Sequence, residues 1–304
     1  MEVVVRSPGT CGELVQGVLR GDDILVSCPV NLYSTVTVAS TGRNGITVFP
    51  KGRKKTLLAA ENTLRLLGYS GMGLDVKISS SLPLGKGWAS STADIAATCQ
   101  AVALVCRRKL TEAQIAKIAI SIEPTDSSVF SQITAFNHIK GNKVRHLGAN
   151  PQLKLIALDF PGVVNTQKFN KRSDLEKLNG EKEEQVAKSV ELISRGIREG
   201  NASLIGRGAT ISAYAHQTII NKHYLDDLLS YGYKLGAVGV TVAHSGTAVG
   251  LLFPPEAISL SNAVKALKEY FPQAEKVIEL EMTCGGTKII KAPQVEKGVE
   301  LYGI

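Results

Sequence analysis

In LPLGKGWASSTADIAA, residues 82–97, Pro83, Gly85, Gly87 and the Ser90–Ser91 pair run straight into an Ala-rich segment. There Ile95, Cys99, Val102 and Cys106 recur at helical spacing. Glycines let the backbone approach a ligand closely, and the first turn of a helix offers unpaired N–H groups at the positive end of its dipole. That is chemistry for an anion such as phosphate, and hydroxyls placed there can donate to phosphate or ligate Mg2+. A helix N-cap after a turn is the plainer reading, although one serine would suffice for it. The loop reads neither as G-x-x-x-x-G-K-[ST] nor as G-x-G-x-x-G with a following acidic residue, which excludes the P-loop and dinucleotide sites.

Carboxylates form the second chemical group. Glu13 lies beside a glycine turn in SPGTCGELVQG, residues 7–17, where it is a natural partner for a hydroxyl or ammonium group. Glu123 and Asp126 fall in IEPTDSS, and Pro124 stops a helix, so both acids become loop residues able to converge on one point. A solvated turn beginning at Glu-Pro is the competing reading. The five histidines occur singly, without metal spacing, and no string supports a Ser-His-Asp hydrolase.

These residues need strands and helices to place them. EVVVR, ILVSCPV, YSTVTVA, GITVF and LDVKISS read as strands. TLLAAENTLRLLG reads as a helix ending at Gly68, with Leu57, Leu58, Leu64 and Leu67 on its buried side. A long helix over about 90–106, another from Thr111 and a strand pair turning at KGNK follow. A boundary is expected near Gly148–Gln152. Beyond it come amphipathic helices around 181–198 and 201–215, and two strands, GAVGVTVAH and TAVGLLF, around a tight turn. Strands and helices without a regular βαβ rhythm indicate an α+β fold.

With 304 residues, 44% of them apolar, the chain can bury a large core, and its net charge of +8 permits an acidic partner without choosing one. Basic runs at Lys51–Lys55 and Cys106–Lys109 lack interleaved aromatics and read as solvated surface. Five cysteines without a C-x-x-C pair suggest free thiols in a reducing compartment. The first residues lack a signal-peptide pattern and no 18-residue apolar span occurs, so a cytoplasmic protein is expected.

Pro83 to Thr92 resembles the P-x-x-x-G-L-G-S-S-A signature of the GHMP kinases, the family of galactokinase, homoserine kinase and mevalonate kinase. Pro83, Gly87, Ser90 and Ser91 match, whereas Trp88, Ala89 and Thr92 depart. SPGTCGELVQG is similar to the family's N-terminal P-G-x-x-x-G-E segment, and VSCPVNLYSTVTV to the next strand pair of its homoserine kinase branch. Gly236–Phe253 stands where the G-x-x-x-S-G-x-G-P-T turn is expected and keeps Gly246 of it. TCGGTK, residues 283–288, offers another close backbone approach.

The resemblance implies the GHMP kinase fold. Its N-terminal domain, residues 1–150, would be ribosomal-protein-like and its C-terminal domain, residues 151–304, ferredoxin-like, with the active site in the cleft between them. It further implies that Pro83, Gly85, Gly87, Ala89, Ser90 and Ser91 hold ATP, with Lys86 neutralising charge or projecting into water and Asn62 near the adenine. Ser91 and Glu123 would bind Mg2+, and Asp126 would orient and deprotonate the acceptor hydroxyl. The two acids are closer in sequence than in the relatives, which leaves that division open. Thr10, Cys11, Gly12, Glu13, His244, Ser245 and Gly246 would form the acceptor side. Together the strings resemble the branch that phosphorylates L-threonine for the cobalamin nucleotide loop, with homoserine as the nearest alternative acceptor. The implied partner is a small molecule rather than nucleic acid or membrane, and the oligomeric state is open, a homodimer included. An RNA-binding protein would need the two basic runs on one face. A regulator on a kinase scaffold is opposed by the intact Ser-Ser and Glu123/Asp126 pairs.

Overall fold

A computed structural model gives the fold for residues 2–162, 169 and 172–292. The last stretch of the expected C-terminal domain, 293–304, lies outside the described residues. The β-branched runs at the N-terminus form one long antiparallel pair, β1 (Glu2–Leu19) and β2 (Asp22–Ser40). They meet at a two-residue turn in which Arg20 and Gly21 both have positive φ, 53° and 75°, as a tight hairpin requires. This corrects the expected pattern of separate short strands. SPGTCGELVQG does not leave the sheet as a turn, and ILVSCPV and YSTVTVA belong to a single strand. Pairing persists because the chain absorbs its prolines and glycines as register shifts at Pro8/Thr10, Thr10/Glu13 and Glu13/Val15.

The remaining strands are β3 (Ile46–Phe49), β4 (Leu74–Ser80), β5 (Ile133–Phe136), β6 (Val144–Gly148), β7 (Lys154–Asp159), β8 (Gly239–Val242), β9 (Ala248–Phe253), β10 (Lys276–Glu281) and β11 (Lys288–Lys291). The sheet runs β10-β7-β9-β8-β1-β2-β4-β3, with β11 on β1 and β5 joining β2 to β6. β1 meets β8 at Glu13↔Val242, so the first strand of the chain reaches the strands of the second half at a candidate site residue.

Helices α1 (Lys54–Leu67) and α2 (Ser90–Val105) pack on the first half of the sheet, followed by α3 (Glu112–Ile120). The second half adds α4 (Leu175–Gly180), α5 (Glu183–Glu199), α6 (Ala202–Ala215), α7 (Leu225–Lys234) and α8 (Ser261–Tyr270). α2 is apolar on every side, and each of its residues except Ser91 is buried. The one residue it leaves open is therefore at its start. α1 ends at Gly68 in the left-handed conformation, as expected. Its buried face is Thr56, Ala59, Ala60, Thr63 and Leu64, not the leucine stripe, and Leu58 is exposed. The small residues let α1 lie close against the Ala-rich α2, which pushes Leu57 and Leu67 to the rim. The Thr111–Gln114 capping box starts α3, and Asn201 caps α6.

Candidate active site

α1 and α2 both begin at one cleft of about 420 Å3. Its walls include Gly85, Gly87–Thr92 and Asp94 from the glycine loop and α2, and Gly52–Thr56 from the start of α1. The Glu123–Asp126 loop, Glu13, His138, His244 and Ser245 complete it. Two helix starts thus bring unpaired N–H groups to one space. Ala89, the residue before α2, has φ 52° and ψ 29°. This left-handed conformation is the one a glycine would take without strain, which is what the departure from the family signature costs. Gly87 has φ 85° and lies where an added Cβ would stand 2.4 Å from Ala243 Cβ. A Cβ on Gly246 would stand 2.3 Å from the Lys86 carbonyl. The glycine loop and the β8–β9 turn are therefore packed backbone to backbone.

Three carboxylates on this wall have donors. Glu123 accepts from the Ser91 hydroxyl and pairs with the Lys55 ammonium. Asp126 accepts from Thr92 Oγ1 at 2.7 Å. Burial first, and the charge of Glu123 after it, push the Asp126 carboxyl up to about 6, although the Thr92 hydrogen bond opposes the rise. A carboxylate tuned to that value is suited to accept a proton near neutrality. Asp94 accepts from Ser34 and pairs with Arg53 at 3.2 Å. Glu13 differs: it is 2% exposed, its Oε2 has no partner among the described residues, and burial, then the Asp126 charge, raise its pKa well above the usual value.

The Ser91 hydroxyl and the Glu123 carboxylate offer a hard cation two oxygen ligands at one point. Among the described residues no three His, Cys, Asp or Glu side chains converge on a metal position. Mg2+ commonly takes one or two protein oxygens and completes its shell with phosphate and water, so this donor set fits it.

Several expected site residues stand elsewhere. Lys86 does not face the cleft: its ammonium pairs with Asp159 at 3.2 Å and with Glu275, tying the loop to β7 and to the residue before β10. Asn62 is bound to Ser121 at 3.3 Å and is not among the lining residues. The Cys11 thiol is fully buried in the core near Gly250, and burial raises its pKa. Thr10 N–H donates to the Trp88 carbonyl at 3.1 Å, so that residue braces the loop from behind. Gly12, at φ 66°, lies against the Val242 backbone. Pro83 precedes the lining segment, while Ser90, Ser91, Glu13, His244 and Ser245 do line the cleft.

Other lining residues escaped the sequence reading. Arg53, Lys54 and Lys55, read as solvated surface, line the cleft. The available signal was their position, since cations in the first turn of a helix oppose its dipole unless an anion joins them. Thr92, which departs from the family signature, holds Asp126. His138 lines the cleft as a buried neutral imidazole, its pKa lowered to about 4 by burial. The second basic run follows the far end of α2, whose 16 residues put it about 24 Å away, so the two runs do not form one face.

Comparison with known proteins agrees with this geometry. Residues 54–136 match the GHMP kinases N terminal domain and residues 193–273 the GHMP kinases C terminal domain. The chain is 34% identical to an L-threonine kinase of Salmonella typhimurium over 94% of its own length and 95% of that protein's. It is 36% identical to an L-threonine kinase of Citrobacter freundii over 82% of this chain and 85% of that one. Its fold matches a crystal structure of homoserine kinase from Cytophaga hutchinsonii with TM-score 0.75 at 18% identity, covering 95% and 97% of the two chains. With the glycine loop at the start of α2, paired loop carboxylates beside it and both halves matched, the chain belongs to the GHMP kinases, a family of small-molecule kinases.

Proposed function

We propose that the chain transfers the γ-phosphoryl group of ATP to the hydroxyl of L-threonine, giving O-phospho-L-threonine for the cobalamin nucleotide loop. Asp126, buried in the cleft and held by Thr92 at the start of α2, is the observation that carries the reading. The relatives at 34% and 36% identity supply the acceptor. Residues 1–150 and 151–304 are read as the two domains flanking the cleft, and the buried free thiols suit the cytoplasm.

In this mechanism the first-turn N–H groups of α2 and the basic start of α1 bind the triphosphate, and charge neutralisation with positioning does most of the catalysis. The threonine oxygen bonds to the γ-phosphorus as the bond from that phosphorus to ADP breaks, and the hydroxyl proton passes to Asp126. Ser91 and Glu123 would hold Mg2+, which when bound withdraws charge from the phosphate oxygens. Burial raises the pKa of Glu13, which disfavours a second negative charge beside Asp126. The test is ADP formation with threonine, serine, homoserine, mevalonate and small sugars. Turnover of threonine alone is expected; turnover of homoserine alone would overturn the acceptor.

A further inference from the structure

A second cavity, of about 390 Å3, shares no lining residue with the active cleft. β6 forms one wall of it, with Arg145 and His146, and α5 forms the other, with Ser194, Ile197 and Arg198. β6 precedes the expected domain boundary and α5 follows it, so the groove is shared between the two halves of the chain.

Its charge is one-sided. Among the described residues neither Arg145 nor Arg198 pairs with a carboxylate, and Glu199, beside Arg198 in the chain, is taken by Arg195 at 3.5 Å. Arg198 in the last turn of α5 offsets the negative pole of that helix. Arg145 on the facing wall has no helix end to serve, and a second cation across one cavity adds repulsion that an anion between them would relieve.

Two polar groups on the walls are unspent. A serine inside a helix commonly returns its hydroxyl to the carbonyl four residues back, as Ser189 does to Gln185 at 2.8 Å. Ser194 of the same helix does not, and its Oγ is buried without a partner among the described residues. Rotation about one side-chain bond turns that hydroxyl towards a ligand. Across the groove, the Thr134 hydroxyl donates its single proton to the Gln132 carbonyl at 2.9 Å, so its oxygen accepts from His146 Nδ1, also at 2.9 Å. That contact puts the proton of the neutral ring on Nδ1 and leaves Nε2 as an acceptor. Guanidinium and hydroxyl donors beside an imidazole acceptor suit an anion that keeps one proton of its own, as hydrogen phosphate does near neutrality and sulfate does not.

We propose that this groove is a phosphate site outside the active cleft. Arg145 and Arg198 hold the unprotonated oxygens from opposite walls, Ser194 donates a further hydrogen bond, and His146 Nε2 accepts from the protonated oxygen. The ligand is phosphate, free or carried on a small molecule whose aliphatic part lies against Leu147 and Ile197. When occupied, the site joins β6 to α5 and so ties the first half of the chain to the second.

The experiment is calorimetric titration of the full chain with its active cleft filled by Mg2+ and a non-hydrolysable ATP analogue. Inorganic phosphate should still bind, and sulfate should bind at least about 10-fold more weakly, the scale of one lost hydrogen bond to a charged group. Arg145→Met and Arg198→Met, both at exposed positions, should each weaken phosphate by about 10-fold or more, and Ser194→Ala by a smaller factor. Arg195→Met, on the same helix but outside the groove, should leave phosphate affinity unchanged. Without added phosphate, kcat and KM for ATP should stay within about twofold in all four variants. No phosphate binding to the filled enzyme overturns the proposal, as does binding that both lining-arginine variants keep, or sulfate bound as tightly as phosphate. O-phospho-L-threonine as a second probe distinguishes the sources: tighter binding than inorganic phosphate identifies a carried phosphate, equal or weaker binding a free one, and either result supports the site.

Discussion

On the wall formed by α1, α2 and the Glu123–Asp126 loop, Asp94, Glu123 and Asp126 each accept from a hydroxyl, and Arg53 and Lys55 pair with the first two. Behind the His244–Gly246 turn, Lys182 Nζ lies beside His216 Nδ1 and Lys222 Nζ donates to the Gly246 carbonyl, and among the described residues no carboxylate pairs with either. Matched charges fix side-chain geometry before any ligand arrives, which suits the place where a proton must move along a set direction. The lysines instead hold the turn from behind, Lys222 through the Gly246 carbonyl. The difference separates the residues that should govern kcat from those that should govern how firmly the turn is held.

The sharpest way to break that division is Asp126→Asn, which should lower kcat by about 10² to 10⁴ with little change in KM for ATP. A near-normal kcat in steady-state assays would remove Asp126 from the role of base. The same variant should be more stable than wild type at pH 8. Because the folded pKa is raised from 3.8 to about 6, the group favours folding below the lower value and loses that contribution as pH rises through the higher. Above pH 6 the buried carboxylate costs about 3 kcal/mol, so thermal melts of the two proteins should differ at pH 8 and coincide near pH 3. Ser91→Ala should raise KM for Mg-ATP about 10-fold, as removal of one hydroxyl ligand and donor would. Unchanged kinetics would leave Ser91 a plain helix-start residue.

Smaller effects test how closely the first wall is tuned. Activity requires ionised Asp126, so kcat/KM should rise with pH through about 6 in wild type. Thr92→Val removes the hydrogen bond that lowers this pKa and should move the acid limb to higher pH; an unmoved limb would detach Thr92 from Asp126. Ala89→Gly relieves a left-handed alanine and should stabilise the fold by up to about 1 kcal/mol in denaturant titration, with kcat nearly unchanged.

Local features were legible in the sequence. The glycine loop opening α2, the stop at Gly68, the loop acids around Pro124 and the β8–β9 turn each depend on neighbours in the chain. Long-range pairing was not. Pro8, Gly9 and Gly12 look like a turn, but β2 holds them in a strand by shifting register. The leucines of α1 outrank alanine in hydropathy, yet the flat surface of α2 selects the smaller residues. Lys51–Lys55 carries no label saying that its helix points at a cleft. Lys182, His216 and Lys222 have no mutual spacing that links them, and only tertiary packing brings them together.

The common origin of α1 and α2 has a consequence for arrival. The positive poles of both helices open on the cleft, with Lys54 beside them, while Arg53 and Lys55 offset Asp94 and Glu123. At the far end of α2 the negative pole is offset by Arg107, Arg108 and Lys109. A polyanion approaching from solution is therefore drawn to the cleft mouth by the two helix starts and is not repelled from the far end of α2. Capture of nucleotide should slow as ionic strength rises, while the transfer step in the filled cleft, shielded from mobile ions, keeps its rate.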